Sequence, residues 1–349
     1  MRQETIRYVG LDVHKEFCQA AVIDDSGRVL SNEKFSSTRD ELNEFLDRFE
    51  DAKFVLESTG IWEFIYEGIE KKGFEVQLAH PLKVRAIAEA KVKTDKVDAE
   101  TLANLLRADM IPRSWVPSKD VRDLRQLVRQ RAYLVQQSTS LKNRTNAELL
   151  RRGVRRPDKF KEPFSSKSID WMRSLGIPTV NSCLNCLENV QAQIEEINIQ
   201  LLDEYNRRPD AHLIATIPGI GFYGALLILA EIDDIHRFPR PENLCAYAGL
   251  VPTVRQSASS VHYGAISKDG SSYLRWMLTE AVLTHTRCEP DSRLSRFHAK
   301  VARRRGKQKA IVATARKLLL VIYWMLQTKE PYHSQGFNPV FPPARTSAT

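Results

Sequence analysis

The 349-residue chain has no uncharged apolar stretch near the roughly 18 to 20 residues that a membrane span needs. Its polar start, MRQETIR, has no apolar segment behind a basic one, so a secretory leader is not expected either, and the chain reads as cytoplasmic. Cysteine is scarce: Cys18, Cys183, Cys186, Cys245 and Cys288 are an odd number spread thinly along the chain. That excludes a disulfide framework and predicts free thiols. Acidic side chains almost vanish from residues 293–349, which hold 12 basic groups against 1 acidic.

At 42% hydrophobic and 27% charged, the chain has apolar material for two or three cores, which excludes disorder throughout. The net charge of +9 is segregated. Residues 1–112 carry 16 basic and 22 acidic groups, and residues 174–292 carry 8 and 14, so both are net −6. Residues 113–173, with 16 against 6, and the C-terminal stretch supply all the positive charge. A polyanion laid along them would release counterions, the electrostatic footprint of a nucleic-acid binder. Solvated helix faces are the blander reading. An acidic membrane fits less well, because no apolar face with aromatic anchors accompanies Arg293 to Lys309.

YVGLDV, CQAAVIDD and VLSNEKF read as three short strands, with Asp25, Ser26 and Gly27 as turn chemistry between the last two. Thr38 and Glu41 form a capping box for a helix through about Asp51. KFVLES is a strand, IWEFIYEGIEKK a helix closed by Gly73, and FEVQLA a strand, followed by helices near 81–90 and 95–109. Three strands with short links must pair mainly antiparallel before the crossovers begin. The order βββαβαβα therefore suits an RNase H or RuvC-like domain better than a doubly wound fold. Between 117 and 205, Val121, Val128 and Val135, and Leu127, Leu134 and Leu141, recur every seven residues. Leu187, Val190, Ile194, Ile197 and Leu201 repeat the three-four spacing, which predicts two coiled-coil arms joined by the basic stretch RRGVRRPDKFKEPFSSK. The expected organisation is an α/β domain over 1–112, a basic coiled coil over 113–205, a mostly helical domain over 206–330 and a disordered tail over 331–349.

Asp12 lies among strand-forming apolar residues, where an ionised carboxylate is costly to bury alone. Glu57 ends the strand-like run FVLEST, and Asp95 and Asp98 share one face at a helix start. Converging carboxylates repel, and oxygen-only ligands suit Mg2+ or Mn2+, so such a cluster makes sense around hard divalent ions acting on phosphodiester oxygens. Each acid alone has an ordinary explanation, such as compensating a helix dipole at Asp95 and Asp98. His14, beside Asp12, is either near such ions or an exposed strand-end histidine.

The stretches GLDVHK, LESTG and KTDKVDA, followed by IPGIG, AYAGLVP and GAISKDGSSYLR, resemble the IS-one-ten (IS110) family of insertion-sequence transposases and the related Piv DNA invertases, over about residues 8–328. The resemblance implies a RuvC-like domain whose DEDD quartet is Asp12, Glu57, Asp95 and Asp98, joined by a coiled coil to a transposase-specific domain. It implies a bridge RNA that pairs with donor and target DNA, and dimers that pair into a tetramer. It also implies a serine that attacks the DNA phosphodiester, which the motif places at Ser257. Ala258 stands where many relatives have glycine, so Ser259 and Ser260 remain alternatives.

Read from the residues, this serine segment is a loop or small hairpin with exposed hydroxyls. Carboxylate-bound ions are the plausible activators, since a hydroxyl is a weak nucleophile alone and no His-Asp pair stands nearby in sequence. Arg255 and Lys268 are candidates for phosphate contacts, as are Arg303, Arg304 and Arg305. Gly219, Gly221 and Gly224 formally make G-x-G-x-x-G, but no βαβ unit surrounds them; a helix-hairpin-helix turn that offers N–H groups to phosphate fits better, beside tight helix packing as a plain alternative. Cys183 and Cys186 form a lone C-x-x-C, too little for a zinc site. The expected function is a DNA recombinase that excises and inserts a mobile element. An RNA-free invertase, a RuvC-like junction resolvase using water, and a catalytically silent RNA-binding scaffold are the rivals.

Overall fold

The computed structural model describes residues 6–88, 94–257 and 260–335, with side chains for all of these but 254–263. The chain divides into two compact units, Met1–Val116 and Pro117–Thr349.

The first unit is a five-stranded mixed sheet with helices on both faces. Strands β1 (Arg7–Val13), β2 (Phe17–Ile23) and β3 (Val29–Ser36) form the expected meander, β1 antiparallel to β2 and β2 to β3. The turn after β2 is built by Asp24, whose carboxylate accepts from the backbone N–H groups of Ser26 and Arg28, with Gly27 at φ +86°. After α1 (Arg39–Leu46), β4 (Ala52–Glu57) pairs parallel to β1. After α2 (Trp62–Lys71), β5 (Glu75–Ala79) pairs parallel to β4, giving the order β3-β2-β1-β4-β5. Thr38 caps α1 by accepting from the Glu41 N–H, but the helix ends at Leu46, short of Asp51. There Phe49 turns back to meet the rings of Phe45 and Phe54. Two helices complete the unit, α3 (Pro81–Ile87) and α4 (Asp95–Arg107).

Side-chain alternation sorts the two faces. Val9, Leu11 and Val13 join Phe54 and Leu56 in a core with Leu42, Phe45, Ile65 and Ile69 of α1 and α2. On the opposite face, Val55 packs with Leu102, Leu105 and Leu106 of α4.

The second unit is mostly helical. It contains α5 (Lys119–Arg151), α6 (Ser166–Ser174), α7 (Pro178–Asn206), α8 (Pro209–Ala215), α9 (Phe222–Ile232), a 3-10 turn at Ile235–Arg237 and α10 (Pro241–Tyr247). A hairpin of β6 (Pro252–Ser257) and β7 (Ser260–Ile266) precedes α11 (Ser272–Cys288), α12 (Arg293–Arg305) and α13 (Lys307–Thr328). Helices α5 and α7 run antiparallel, tied by Arg208 to Asp120 at one end, Arg131 to Asn198 between, and Thr179 to Glu148 at the other. On α7, Leu187, Ile194 and Leu201 are buried, as their spacing predicts. On α5 the buried residues are Arg122, Leu124, Val128, Ala132, Leu134, Ser138, Thr145, Glu148 and Leu149, so of the apolar heptad pattern Val128 and Leu134 are fully inward while Val121, Leu127, Val135 and Leu141 are half-buried. Starting at the end of the basic connection, α6 is an additional element that seats Met172 in a small core with Leu149, Val180 and Leu184.

By length and composition α13 could cross a membrane, with a window of mean hydropathy 1.4. Its Leu318, Leu319, Ile322, Met325 and Leu326 are instead buried in the core of this unit, which accounts for their apolar character. Residues 331–335, in the stretch expected to be disordered, are held: the Tyr332 N–H donates to Thr216 Oγ1 and the Arg293 N–H to the Ser334 carbonyl. Residues 336–349 lie outside the described part.

Candidate active site

The site starts with the missing side chain of Gly10. Gly10 and Asp12 share the face of β1 opposite Leu11, and α4 lies directly on Gly10, where an added β-carbon would come within 2.5 Å of the Ala103 nitrogen. That approach brings the first turn of α4 to the C-terminal end of β1. The turn is fixed by Thr94, whose hydroxyl accepts from the Val97 N–H, and it carries Asp95 and Asp98. From the other side, parallel pairing aligns Leu11 with Leu56, so Glu57 follows on β4 beside Asp12 and on the face of Val55. Register and helix docking thus place Asp12, Glu57, Asp95 and Asp98 toward one end of the sheet, but the acids within ligand distance of one another are Asp12 and Asp95, without Glu57 or Asp98.

His14 completes the group. Its Nε2 lies 3.0 Å from Asp12 Oδ2 and 3.4 Å from Asp95 Oδ1, and its ring stacks on Phe17. Ligand atoms of Asp12, His14 and Asp95 all fall within 4.8 Å of one another. Asp12 is largely enclosed, with a side chain 16% exposed, against 49% for Asp95. Burial pushes the Asp12 carboxyl above its ordinary value; the His14 contact pulls it back, and the charges of Asp95 and Asp98 raise it again. Crowded carboxylates with an imidazole at this spacing fit a hard or borderline divalent ion such as Mg2+ or Mn2+, which would relieve the repulsion. The residues present therefore suit the group that the sequence suggested.

The serine segment belongs to the second unit. Ser257 ends β6 and pairs through its backbone with Ser260, which starts β7, so of the loop or small hairpin expected it is the hairpin that forms. Ala258 and Ser259 lie outside the described residues, as do the side chains of Ser257, Ser260 and Arg255. The base of the hairpin is closely held. Gly249 (φ +65°) and Gly270 (φ +99°) sit where β-carbons would meet the Asp269 carbonyl at 2.3 Å and the Tyr247 carbonyl at 1.9 Å. Arg275 donates to the carbonyls of Ala248 and Gly270, and the Ser267 N–H to that of Val251. Ser271, the cap of α11, donates to Glu231, a fully buried carboxylate of α9 that also takes a two-pronged pair from Arg129 at 2.8 and 2.9 Å. Lys268 is exposed in this segment at φ +58°.

A β-carbon added to Gly219, at φ +96°, would come within 2.7 Å of the His285 nitrogen, so close packing against α11 accounts for the glycine. Gly221 caps α9, and a β-carbon added there would meet nothing within 4 Å among the described residues. The helix α8, not a strand, precedes these glycines, which removes the dinucleotide-site reading. Arg303, Arg304 and Arg305 form the exposed last turn of α12, where they also complement the helix dipole.

Sequence reasoning left His14 undecided and missed Gln19, Asn32 and Glu231. A polar residue alternating into an apolar strand, as Gln19 does in CQAAVI, was the available signal for the first of these. Nothing local marks Glu231 as buried.

Comparison with known proteins supplies the rest. Residues 9–152 match a transposase domain of DEDD and IS110 type, and residues 211–298 match the transposase IS116/IS110/IS902 family. The transposase for insertion sequence element IS1111A of Coxiella burnetii is 28% identical over 341 residues, which is 94% of this chain and 91% of that protein. The pilin gene-inverting protein of Moraxella bovis is 29% identical over 286 residues, 80% of this chain and 81% of its own. A probable family 20 transposase of Pseudomonas aeruginosa is 24% identical over 343 residues, 94% of this chain and 98% of its own. With both domains present in order and the likeness running along nearly its whole length, the chain belongs to the IS110 family of transposases, enzymes of DNA recombination that cleave and rejoin strands.

Proposed function

We propose that this recombinase excises and inserts a mobile element through a serine-linked DNA intermediate. In this reading the first unit is RuvC-like, and Asp12, Glu57, Asp95 and Asp98, with His14 beside them, hold Mg2+ or Mn2+. The observation that carries it is the meeting of Asp12, His14 and Asp95 at one sheet end, with Asp98 near enough to act on the Asp12 carboxyl. A divalent ion held there supplies charge stabilisation to phosphodiester oxygens and helps to activate an attacking hydroxyl.

The remaining steps belong to the chain. Oγ of Ser257 forms a bond to phosphorus while the bond from phosphorus to a deoxyribose oxygen breaks, and that oxygen takes up a proton. A DNA hydroxyl then attacks the phosphoserine, rejoining a strand and restoring the serine. One phosphodiester is exchanged for another, so no external energy source is needed. The clamped hairpin base supports Ser257 as nucleophile, because it fixes where the strand emerges. Arg255, Lys268, Gly219, Gly221 and Arg303 to Arg305 are proposed to contact nucleic acid backbone. Donor and target DNA are joined by a bridge RNA, and dimers pair into a tetramer in which the acids of one subunit serve the serine of another.

Strand-transfer assays on Ser257→Ala, Ser259→Ala and Ser260→Ala test the nucleophile: only the first should abolish transfer, and full transfer by Ser257→Ala would overturn the assignment. A second reading is a site-specific invertase, which the likeness to a pilin gene-inverting protein favours, acting without RNA. RNA that co-purifies with the chain and is required for recombination separates the two.

A further inference from the structure

The α4 face of the sheet carries a chain of amides that the reaction scheme leaves unused. Gln19, 4% exposed, pairs across the strands with Asp12 and lies on the same face. Its Nε2 donates to the Asn32 side-chain oxygen at 2.5 Å and to the Glu33 carbonyl at 3.0 Å. Asn32, on β3, spends its own amide hydrogens on α4, donating to Glu100 Oε1 at 2.6 Å and to the Lys96 carbonyl at 3.3 Å. Lys96 stands between Asp95 and Asp98, and Glu100 is two residues further on. The clip therefore grips α4 within its first two turns, where the acids are.

The electrostatics show what such a grip opposes. Asp95 stands with Asp12 at one sheet end, their ligand atoms within 4.8 Å, and Asp98 shares the same first turn, so like charges oppose one another there. Without an ion, that repulsion favours lifting the first turn of α4 off the sheet, and a first turn is the part of a helix with fewest internal hydrogen bonds. Close backbone approach over Gly10 at Ala99 and Ala103, and apolar packing of Leu102, Leu105 and Leu106 on Val55, hold α4 further along. Asn32 holds the end itself, and does so with a neutral group. A lysine or arginine there would compete with the ion for the carboxylates, whereas an amide donates without neutralising them.

We propose that Asn32, oriented by Gln19, is a positioning residue that pins the first turns of α4 so that Asp95 and Asp98 stay beside Asp12 and the site is preorganised for its ion. This rests on the reading of the acids as a metal site. Outer-shell partners of this kind typically contribute roughly 10- to 100-fold in metal affinity.

The test is Mn2+ titration of the full chain by calorimetry, with thermal unfolding in EDTA alongside. Asn32→Ala and Glu100→Ala are each expected to weaken Mn2+ binding by about tenfold or more while unfolding in EDTA remains cooperative. Glu100→Gln, which keeps an oxygen to accept the Asn32 hydrogen bond, should bind within a few fold of wild type. A role in general packing would not produce that rescue. Wild type that binds Mn2+ and loses it on Asp12→Asn, while Asn32→Ala and Glu100→Ala bind as wild type does, overturns the positioning role alone. Wild type that binds no Mn2+, or Asp12→Asn that binds it equally well, overturns the metal reading and the positioning role with it.

Discussion

A β-carbon on Gly10 would stand 2.1 Å from the carbonyl oxygen of Ala99, so α4 touches β1 at the one place where the strand has no side chain. Two residues along β1 is Asp12, and four residues back along α4 is Asp95. The distance between the two acids is thus set by a glycine.

Gly10→Ala is expected to destabilise the protein by about 1–3 kcal/mol, the usual range for overpacking, and to weaken divalent-ion binding as α4 is pushed outward. Gly68→Ala is the control. Its added carbon meets a side chain, Leu42 with Cδ2 at 2.7 Å and Cγ at 3.7 Å, rather than backbone, and alanine is the better helix former, so its cost should be smaller. Denaturant unfolding of both variants measures the difference.

Asp12 has a pKa raised by folding, chiefly through burial. Its contribution to stability is therefore fully present below its unfolded pKa, about 4, and is lost as pH rises through the higher folded value. In EDTA at pH 7, Asp12→Asn should melt above wild type, with the gap closing toward about pH 4. Added Mg2+ or Mn2+ should raise the wild-type midpoint and leave that of Asp12→Asn nearly unchanged. Melting curves at several pH values, with and without ion, check both statements.

Much of the first unit was legible because its signals are local. Alternation marks β1 to β3, Thr38 marks the start of α1, and Gly73 closes α2 at φ +85°. The meeting of Asp12 and Asp95 was legible only through the order of separate motifs, since no single spacing requires them to meet. The role of Gly10 was hidden, because its partner lies about ninety residues away and a glycine in a strand announces only that something approaches. The α5 seam was half legible for a related reason. Ala132, Ser138 and Thr145 face inward, and a count of large apolar residues passes over small and polar ones. Thr145 satisfies its hydroxyl on the Leu141 carbonyl, which lets it be buried.

In the second unit, Arg129→Ala would leave the Glu231 carboxylate buried with Ser271, among the described residues, as its remaining side-chain partner. The expected cost is about 3–5 kcal/mol in denaturant unfolding, typical of a buried pair broken on one side. Replacing Glu231 by Gln as well should recover part of it, because the uncompensated charge is then gone. Equal losses in the single and double variants would mean that packing, not charge, is what Arg129 supplies.

Depletion of divalent ions with EDTA should abolish strand cleavage without releasing bound DNA, and Mg2+ or Mn2+ should restore it. Cleavage that persists in EDTA would detach the acids from the chemistry. Filter binding and denaturing gels on the same samples separate the two effects.

The most direct test is mass spectrometry of the denatured protein after reaction with a DNA substrate whose cut strand cannot be rejoined. The account predicts a covalent protein–DNA adduct that maps to Ser257 and is absent from both Ser257→Ala and Asp12→Asn. Cleavage by the wild-type protein with no adduct, or an undiminished adduct in Ser257→Ala, would contradict it.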